Sequence, residues 1–245
     1  MSRIKGSKKK VMIYSIIVII LIIGIVWIYK NRKVHFADDK MRQVICLELG
    51  KDKDSQDVTY RDLEKIEELE IGPVGNFRTI QDVAKCTNLK RLRVNIEVVE
   101  KDAAYEVYRK TETGENFLSI VDEEQIGNIQ QDLEKIFKKA KNIEDFGFSN
   151  FNQSCNITKI DFLKYGKNLK KINISYGNVE DYSVLENCSK LESVDLWYSN
   201  IESADTLLKL KNVKKFWLTG TPLAENEEEI SKLQKAFPDA WIITE

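Results

Sequence analysis

The chain has 245 residues, 42% hydrophobic and 31% charged, enough for one good core or two. A formal net charge of −1 gives no global field for a nucleic acid or another polyanion. With three prolines and eleven glycines, the composition argues against a long disordered region.

Residues 1–10, MSRIKGSKKK, read as a basic tail. Residues 11–29, VMIYSIIVIILIIGIVWIY, are an unbroken apolar run between Lys10 and Lys30. As a helix this run reaches roughly 28 Å, close to the hydrocarbon thickness of a bilayer. Tyr14, Trp27 and Tyr29 stand near its ends, where amphipathic rings favour the membrane interface. A cleaved signal peptide has a shorter apolar region and a small-residue cleavage site. Neither is visible, so the run reads as an uncleaved transmembrane anchor. Arg3, Lys5, Lys8, Lys9 and Lys10 precede it, and Lys30, Arg32 and Lys33 follow at once. The bias favours a cytoplasmic N-terminus and an extracytoplasmic C-terminal domain, although with Lys40 and Arg42 included it nearly disappears. The linker 30–35 contains the one histidine, His35, with no neighbouring Cys or His to share a metal.

Residues 36–62 read as a cap. Two degenerate repeats follow over 63–95, with Ile66, Leu69 and Ile71 in one and Leu89, Leu92 and Val94 in the next. An insertion then occupies 96–141. Its second part places Ile126, Ile129, Leu133, Ile136, Phe137 and Ala140 on one face of a helix. Its first part, AAYEVYRKTETGENFLSIV, suits either a hairpin around Thr113-Gly114 or a loose excursion.

Repeats over 142–223 begin with Ile143, Phe146 and Phe148, and a four-residue excess follows around FNQS. Segments beginning at Asn168, Lys190 and Asn212 then align with a period of 22. Their apolar columns read Leu169, Leu191, Val213 at the first repeat place, Ile172, Val194, Phe216 at the fourth, Ile174, Leu196, Leu218 at the sixth, and Val179, Ile201, Leu223 at the eleventh. A coil of this kind cannot bury its apolar side alone, and stacked coils build a continuous core under a short parallel sheet. Residues 224–245 read as a second cap, a helix carrying Ile230, Leu233 and Phe237 that stops at Pro238, then the edge strand WIITE.

These columns resemble the leucine-rich repeats of bacterial surface proteins, the internalin-type class with 22-residue coils. The stretch KMRQVICLELGKDKDSQDVTYRDLEKIEELEIG, with its Thr59-x-x-Asp62-Leu63 turn, resembles the cap and first repeat of such domains. The resemblance spans 36–245 and implies an α/β leucine-rich-repeat solenoid with its sheet on the concave face, helical caps and an inserted helix. It also implies protein partners. The family's asparagine at the ninth repeat place is replaced by Gly177, Ser199 and Thr221, and Asn178 and Asn200 stand one place later.

No catalytic motif, metal-ligand spacing or phosphate-cradling loop is present, so neither an enzyme nor a cofactor is expected. Cys86 and Cys188 hold the same repeat place at least three coils apart, roughly 15 Å and beyond disulfide reach. With Cys46 and Cys155 they read as buried thiols. Asn-x-Ser/Thr triplets at Asn152, Asn156, Asn173 and Asn187 read as polar turns.

Strand alternation turns the third, fifth and seventh repeat places outward. Glu68 would face Arg91 there, and Glu70 would face Arg93. The candidate ligand-binding residues are Trp197, Trp217, Asp195, Lys215 and Asn173, an aromatic pair rimmed by polar groups. Packing of the two indoles against the C-terminal cap or the insertion is the competing reading. The function expected is a membrane-anchored, non-catalytic repeat protein that takes a protein or glycan on its concave face. A cytoplasm-facing scaffold subunit of a membrane complex is the alternative.

Overall fold

Among the described residues seven short strands lie side by side in chain order, each parallel to the next. They are β1 (Glu68–Ile71), β2 (Arg91–Val94), β3 (Asp145–Ser149), β4 (Lys171–Ser175), β5 (Ser193–Asp195), β6 (Lys215–Trp217) and β7 (Trp241–Ile243). The computed structural model describes residues 2–72, 74–94, 123–150 and 157–245. The excursion within 96–122, the excess segment with Cys155, Asn152 and Asn156, and the Ile126 side chain lie outside the described residues.

Register explains why strands of three to five residues hold. Leu69, Leu92, Phe146, Ile172, Val194, Phe216 and Ile242 face one another in sequence across the sheet. The first six are at most 1% exposed, and each such burial contributes roughly 1.5–3 kcal/mol. Phe146 lies in an aromatic cluster of the core, with ring centroids of Phe137, Phe162 and Phe148 at 5.1, 5.6 and 6.1 Å.

The chain returns to each new strand through 3-10 turns, such as Gln81–Lys85, Asp161–Tyr165 and Ser183–Asn187. Between β2 and β3 the helix Glu123–Lys139 takes that place and packs against the turns at 81–85 and 161–165. Its Ile129, Leu133, Ile136 and Phe137 are buried. An asparagine opens most coils and donates its side-chain amide to a carbonyl of the coil before. Asn88 reaches Glu64 O at 2.8 Å, Asn142 reaches Thr87 O at 3.0 Å, Asn168 reaches Lys141 O at 2.8 Å and Asn212 reaches Ser189 O at 2.8 Å. In the coil between the last two, Lys190 holds the place and donates to the Asn168 side chain at 2.7 Å. The displaced turn asparagine also works across coils, because Asn200 Oδ1 accepts from Val179 N at 3.0 Å and from the Tyr182 hydroxyl at 2.9 Å.

At the front, helix α2 (Asp39–Glu48) covers the core with Met41, Val44, Ile45 and Cys46, all at most 1% exposed. Asp38 caps it by accepting from Met41 N at 3.0 Å. Asp82, fully buried, then ties this cap to the second coil. Its carboxylate accepts from Ala37 N at 2.7 Å, Asp38 N at 3.1 Å and Lys85 Nζ at 2.5 Å. The short helix α3 (Tyr60–Leu63) begins in a reciprocal capping box between Thr59 and Asp62. Hydrogen bonds from Lys65, Lys51 and Thr59 outweigh burial, which acts the other way, and hold the Asp62 carboxyl far below its usual range.

Helix α1 (Ser2–Lys30) runs through the stretch read as a basic tail as well as through the apolar run. Its segment Met12–Lys30 is long and apolar enough to cross a membrane, and none of it is buried. The end of α1 is bonded to the cap. Tyr29 stacks on Tyr60 with centroids 5.0 Å apart, and Lys30 pairs with Glu64 at 2.9 Å. The segment that follows, residues 30–35, is bonded to the same cap. Lys33 bridges Thr59 antiparallel, Val34 N donates to Val58 O at 2.8 Å, and Tyr60 N donates to Arg32 O at 3.2 Å.

The helix Glu123–Lys139 is α4, and a further helix, α5, spans Glu227–Ala236. Asn226 caps α5, which lays Leu233 onto the end of the core. Cys46, Cys86 and Cys188 are free and buried. Burial pushes the Cys86 thiol up to about 12 and the Cys188 thiol up to about 11. The architecture is an α/β leucine-rich-repeat solenoid, with the sheet on one face and turns and helix α4 on the other.

Candidate functional site

The outward face of the sheet divides into two chemistries. Over β1 to β3 it is charged and internally paired. Arg91 faces Glu68 in register, but its guanidinium takes both carboxylates of the first strand, Glu68 at 2.9 Å and Glu70 at 2.7 Å. Arg93 does not pair with Glu70, as simple facing would require. It turns the other way to Asp145 at 2.5 Å. Gly147 permits this, since a Cβ there would stand 3.2 Å from Arg93 Cδ and 3.0 Å from Asn173 Cβ.

Over β4 to β7 the face is polar at its start and aromatic at its end. Asn173 and Asp195 are register partners, and the Asn173 amide donates to Asp195 Oδ2 at 2.7 Å. Ser175 donates to Asn173 Oδ1 at 2.8 Å, and the Trp197 N–H donates to Asp195 Oδ1 at 3.2 Å. Burial raises the Asp195 pKa, opposed by hydrogen bonds from the Trp197 N–H and Asn173 and by the charge of Lys215. Asp195 is thus committed inward. It positions the Trp197 backbone and the Asn173 amide.

Lys215 faces Trp241 in register and shares its strand and side with Trp217. Its ammonium lies 4.7 Å from the Trp217 centroid and 5.2 Å from the Trp241 centroid. Such contacts contribute about 0.5–1 kcal/mol at exposed sites. The Trp217 indole N–H donates to Thr219 Oγ1 at 2.9 Å. Trp197 packs elsewhere, its ring edge-on to Tyr176 at 5.2 Å and to Tyr198 at 5.0 Å. The five expected residues therefore form two linked groups, Asn173–Asp195–Trp197 and Lys215–Trp217. The two indoles remain half-buried.

Three aromatic residues of this face are not among the five expected site residues: Tyr176, Tyr198 and Trp241. Tyr176 and Tyr198 stack with centroids 5.2 Å apart and planes 6° from parallel. Both adopt a left-handed backbone, at φ 52° and 53°, which strains an ordinary L-residue by about 1–2 kcal/mol. The equivalent place of the next coil holds Gly220, at φ 70°. A Cβ on Gly220 would meet the Tyr198 ring at 2.5 Å, so the ring lies directly on that glycine. In the sequence this column reads Tyr176, Tyr198, Gly220, a glycine after two tyrosines at one repeat place. Trp241 is 66% exposed and was hidden because its strand follows a helix rather than a repeat.

Among the described residues no group of three or more His, Cys, Asp or Glu is disposed to hold a metal ion. Among the described residues the C-terminal half of the face presents aromatic area, the Lys215 ammonium held between two indoles, and the fixed Asn173 amide.

No protein-family model matches the chain, and no curated protein matches it in sequence. Among solved structures it is similar to internalin C2 of Listeria monocytogenes, at 15% identity over 84% of this chain and 83% of that one, with a TM-score of 0.47. An internalin of the same organism aligns at 12% identity over 86% of this chain and 90% of that one, with a TM-score of 0.34. A leucine-rich-repeat protein of Leptospira interrogans aligns at 12% identity over 66% of this chain and 44% of that one, with a TM-score of 0.35.

Proposed function

We propose that the protein is a membrane-anchored, non-catalytic leucine-rich-repeat protein that binds another macromolecule, a protein before a glycan, on the outward face of its sheet. The observation that carries this reading is the aromatic end of that face. Trp197 and Trp217 remain half-buried beside the exposed Trp241, and helix α5 contributes its buried Leu233 to the core. Exposed aromatic clusters with few polar partners have the composition of binding hot spots.

Anchoring through residues 11–29 is supported by the length and exposure of α1. The bonding of Tyr29 and Lys30 to the cap argues for retention of the helix, because removal of a signal would strip Tyr60 and Glu64 of their partners. The charge bias at its ends supports export of the repeat domain.

Three measurements test this. Alkaline carbonate washing of membranes should leave the chain in the pellet. Protease added to intact cells should degrade the repeat domain, and protection would overturn the exported orientation. Trp197→Ala with Trp217→Ala should abolish capture of a surface ligand while the melting temperature stays nearly constant. A collapse of stability would make the rings core instead.

A further inference from the structure

We propose that the C-terminal half of the outward face takes an extended, acidic stretch of a partner protein, with apolar side chains seated along the diagonal Trp197–Trp217–Trp241 and a carboxylate on Lys215. This rests on the reading of that face as a binding surface and specifies what it binds.

The diagonal follows from register. Trp241 faces Lys215, and Trp217 lies two residues further along the same strand. Trp217 in turn faces Asp195, and Trp197 lies two residues beyond it. Each tryptophan is therefore displaced by one strand and two residues from the next, a step of about 7–8 Å. Same-side residues of an extended chain repeat every ~6.6–6.8 Å, so alternate side chains of one segment can meet successive indoles. The stacked Tyr176–Tyr198 pair stands at the Trp197 end, edge-on to that indole, and walls the track at the strand ends.

Charge selects the segment. In the N-terminal half both arginines are consumed by Glu68, Glu70 and Asp145. In the C-terminal half Lys171 and Lys215 form no ion pair with another described residue, and Asp195 is bound by Asn173 and the Trp197 N–H. Lys215 thus stands beside apolar rings with no described carboxylate in salt-bridge contact, although its charge also acts on Asp195. Lys215 is also held in place by Trp217 and Trp241, which reduces the ordering a ligand carboxylate would otherwise impose. The left-handed tyrosines fit the same purpose, since strain of this kind recurs where a side chain serves a site.

The test uses the full-length chain in detergent micelles and fluorescence polarisation of labelled polymers. A random copolymer of glutamate and tyrosine is the probe, with polyglutamate, a lysine–tyrosine copolymer and polygalacturonate compared against it. The glutamate–tyrosine copolymer should bind about tenfold more tightly than each of the others, and more weakly as salt rises. Trp241→Ala and Lys215→Met should each weaken it by about fivefold or more. Lys214→Met, which removes an exposed ammonium paired with Glu192, should leave it unchanged. Polygalacturonate binding as tightly as the copolymer would transfer the site to carbohydrates and overturn the proposal. So would copolymer binding indifferent to Trp241→Ala. Failure of the copolymer to bind, with ligand capture still dependent on Trp197 and Trp217, would reject the acidic segment and leave the binding-face reading intact.

Discussion

Replacing Asp62 tests whether the first turn of the repeat domain is held by one carboxylate. Its oxygens accept from Thr59 N at 3.0 Å, Thr59 Oγ1 at 2.9 Å, Lys51 Nζ at 2.9 Å and Lys65 Nζ at 2.8 Å. The side chain is only 13% exposed. Loss of a helix cap is worth about 0.5–2 kcal/mol. The hydrogen bond to the half-buried Lys51 adds about 1.5–3 kcal/mol, and the exposed Lys65 adds less than about 1 kcal/mol. Since these are coupled, Asp62→Ala should destabilise the fold by about 2–4 kcal/mol, or roughly 4–16 °C in melting temperature for a domain of this size. The pH dependence separates charge from shape. The folded pKa lies below the ordinary 3.8, so the contribution is complete above that value. As pH falls further, the unfolded chain takes up the proton first, and about 1.4 kcal/mol is lost per pH unit until the folded carboxyl titrates. Urea unfolding of the wild type and Asp62→Asn at neutral and at acid pH measures this directly. The two curves should converge below about pH 3.8. A constant gap down to about pH 2.5, or an Asp62→Ala loss under about 0.5 kcal/mol, would refute the reasoning.

Three further outcomes are expected. Asp82→Ala leaves the Ala37 and Asp38 amides and the Lys85 ammonium without their buried acceptor, and should lower stability by about 3–5 kcal/mol in urea unfolding. Phe146→Ala opens a cavity among Phe137, Phe148 and Phe162, and should lower it by about 3–5 kcal/mol. Cys86 and Cys188, fully protonated at neutral pH, should resist maleimide in the native state and react on unfolding, as mass spectrometry of labelled peptides will show.

The core was legible because a repeat reports itself several times. Ile172, Val194 and Phe216 share one column in the sequence and one ladder in the sheet. The helix Glu123–Lys139 was legible from its 3.6-residue period, and its buried side chains lie on the expected face. Side-chain choices on the outward face were less so. Facing alone assigns Arg93 to Glu70, yet Asp145 lies on the other side and Gly147 leaves the room to reach it. A column rule cannot choose between two neighbours of the same charge. Trp197 and Trp217 were found through alternation, but their separation into two groups was not. That depends on the tyrosines beyond the strand ends, whose backbone leaves the alternating pattern altogether.

The joint between α1 and the cap has a mechanical consequence. A bilayer-spanning helix followed by a flexible linker would let its cargo swivel and tumble. Here the backbone bonds of Arg32 and Val34 to residues 58–60, with the Tyr29–Tyr60 stack beside them, remove that swivel. In an anchored chain the sheet would therefore keep one bearing relative to the membrane normal. Copies sharing a membrane would present their aromatic ends at a common height and tilt. A ligand with repeated binding segments would then meet an ordered array, and its avidity would depend on lateral spacing more than on linker length.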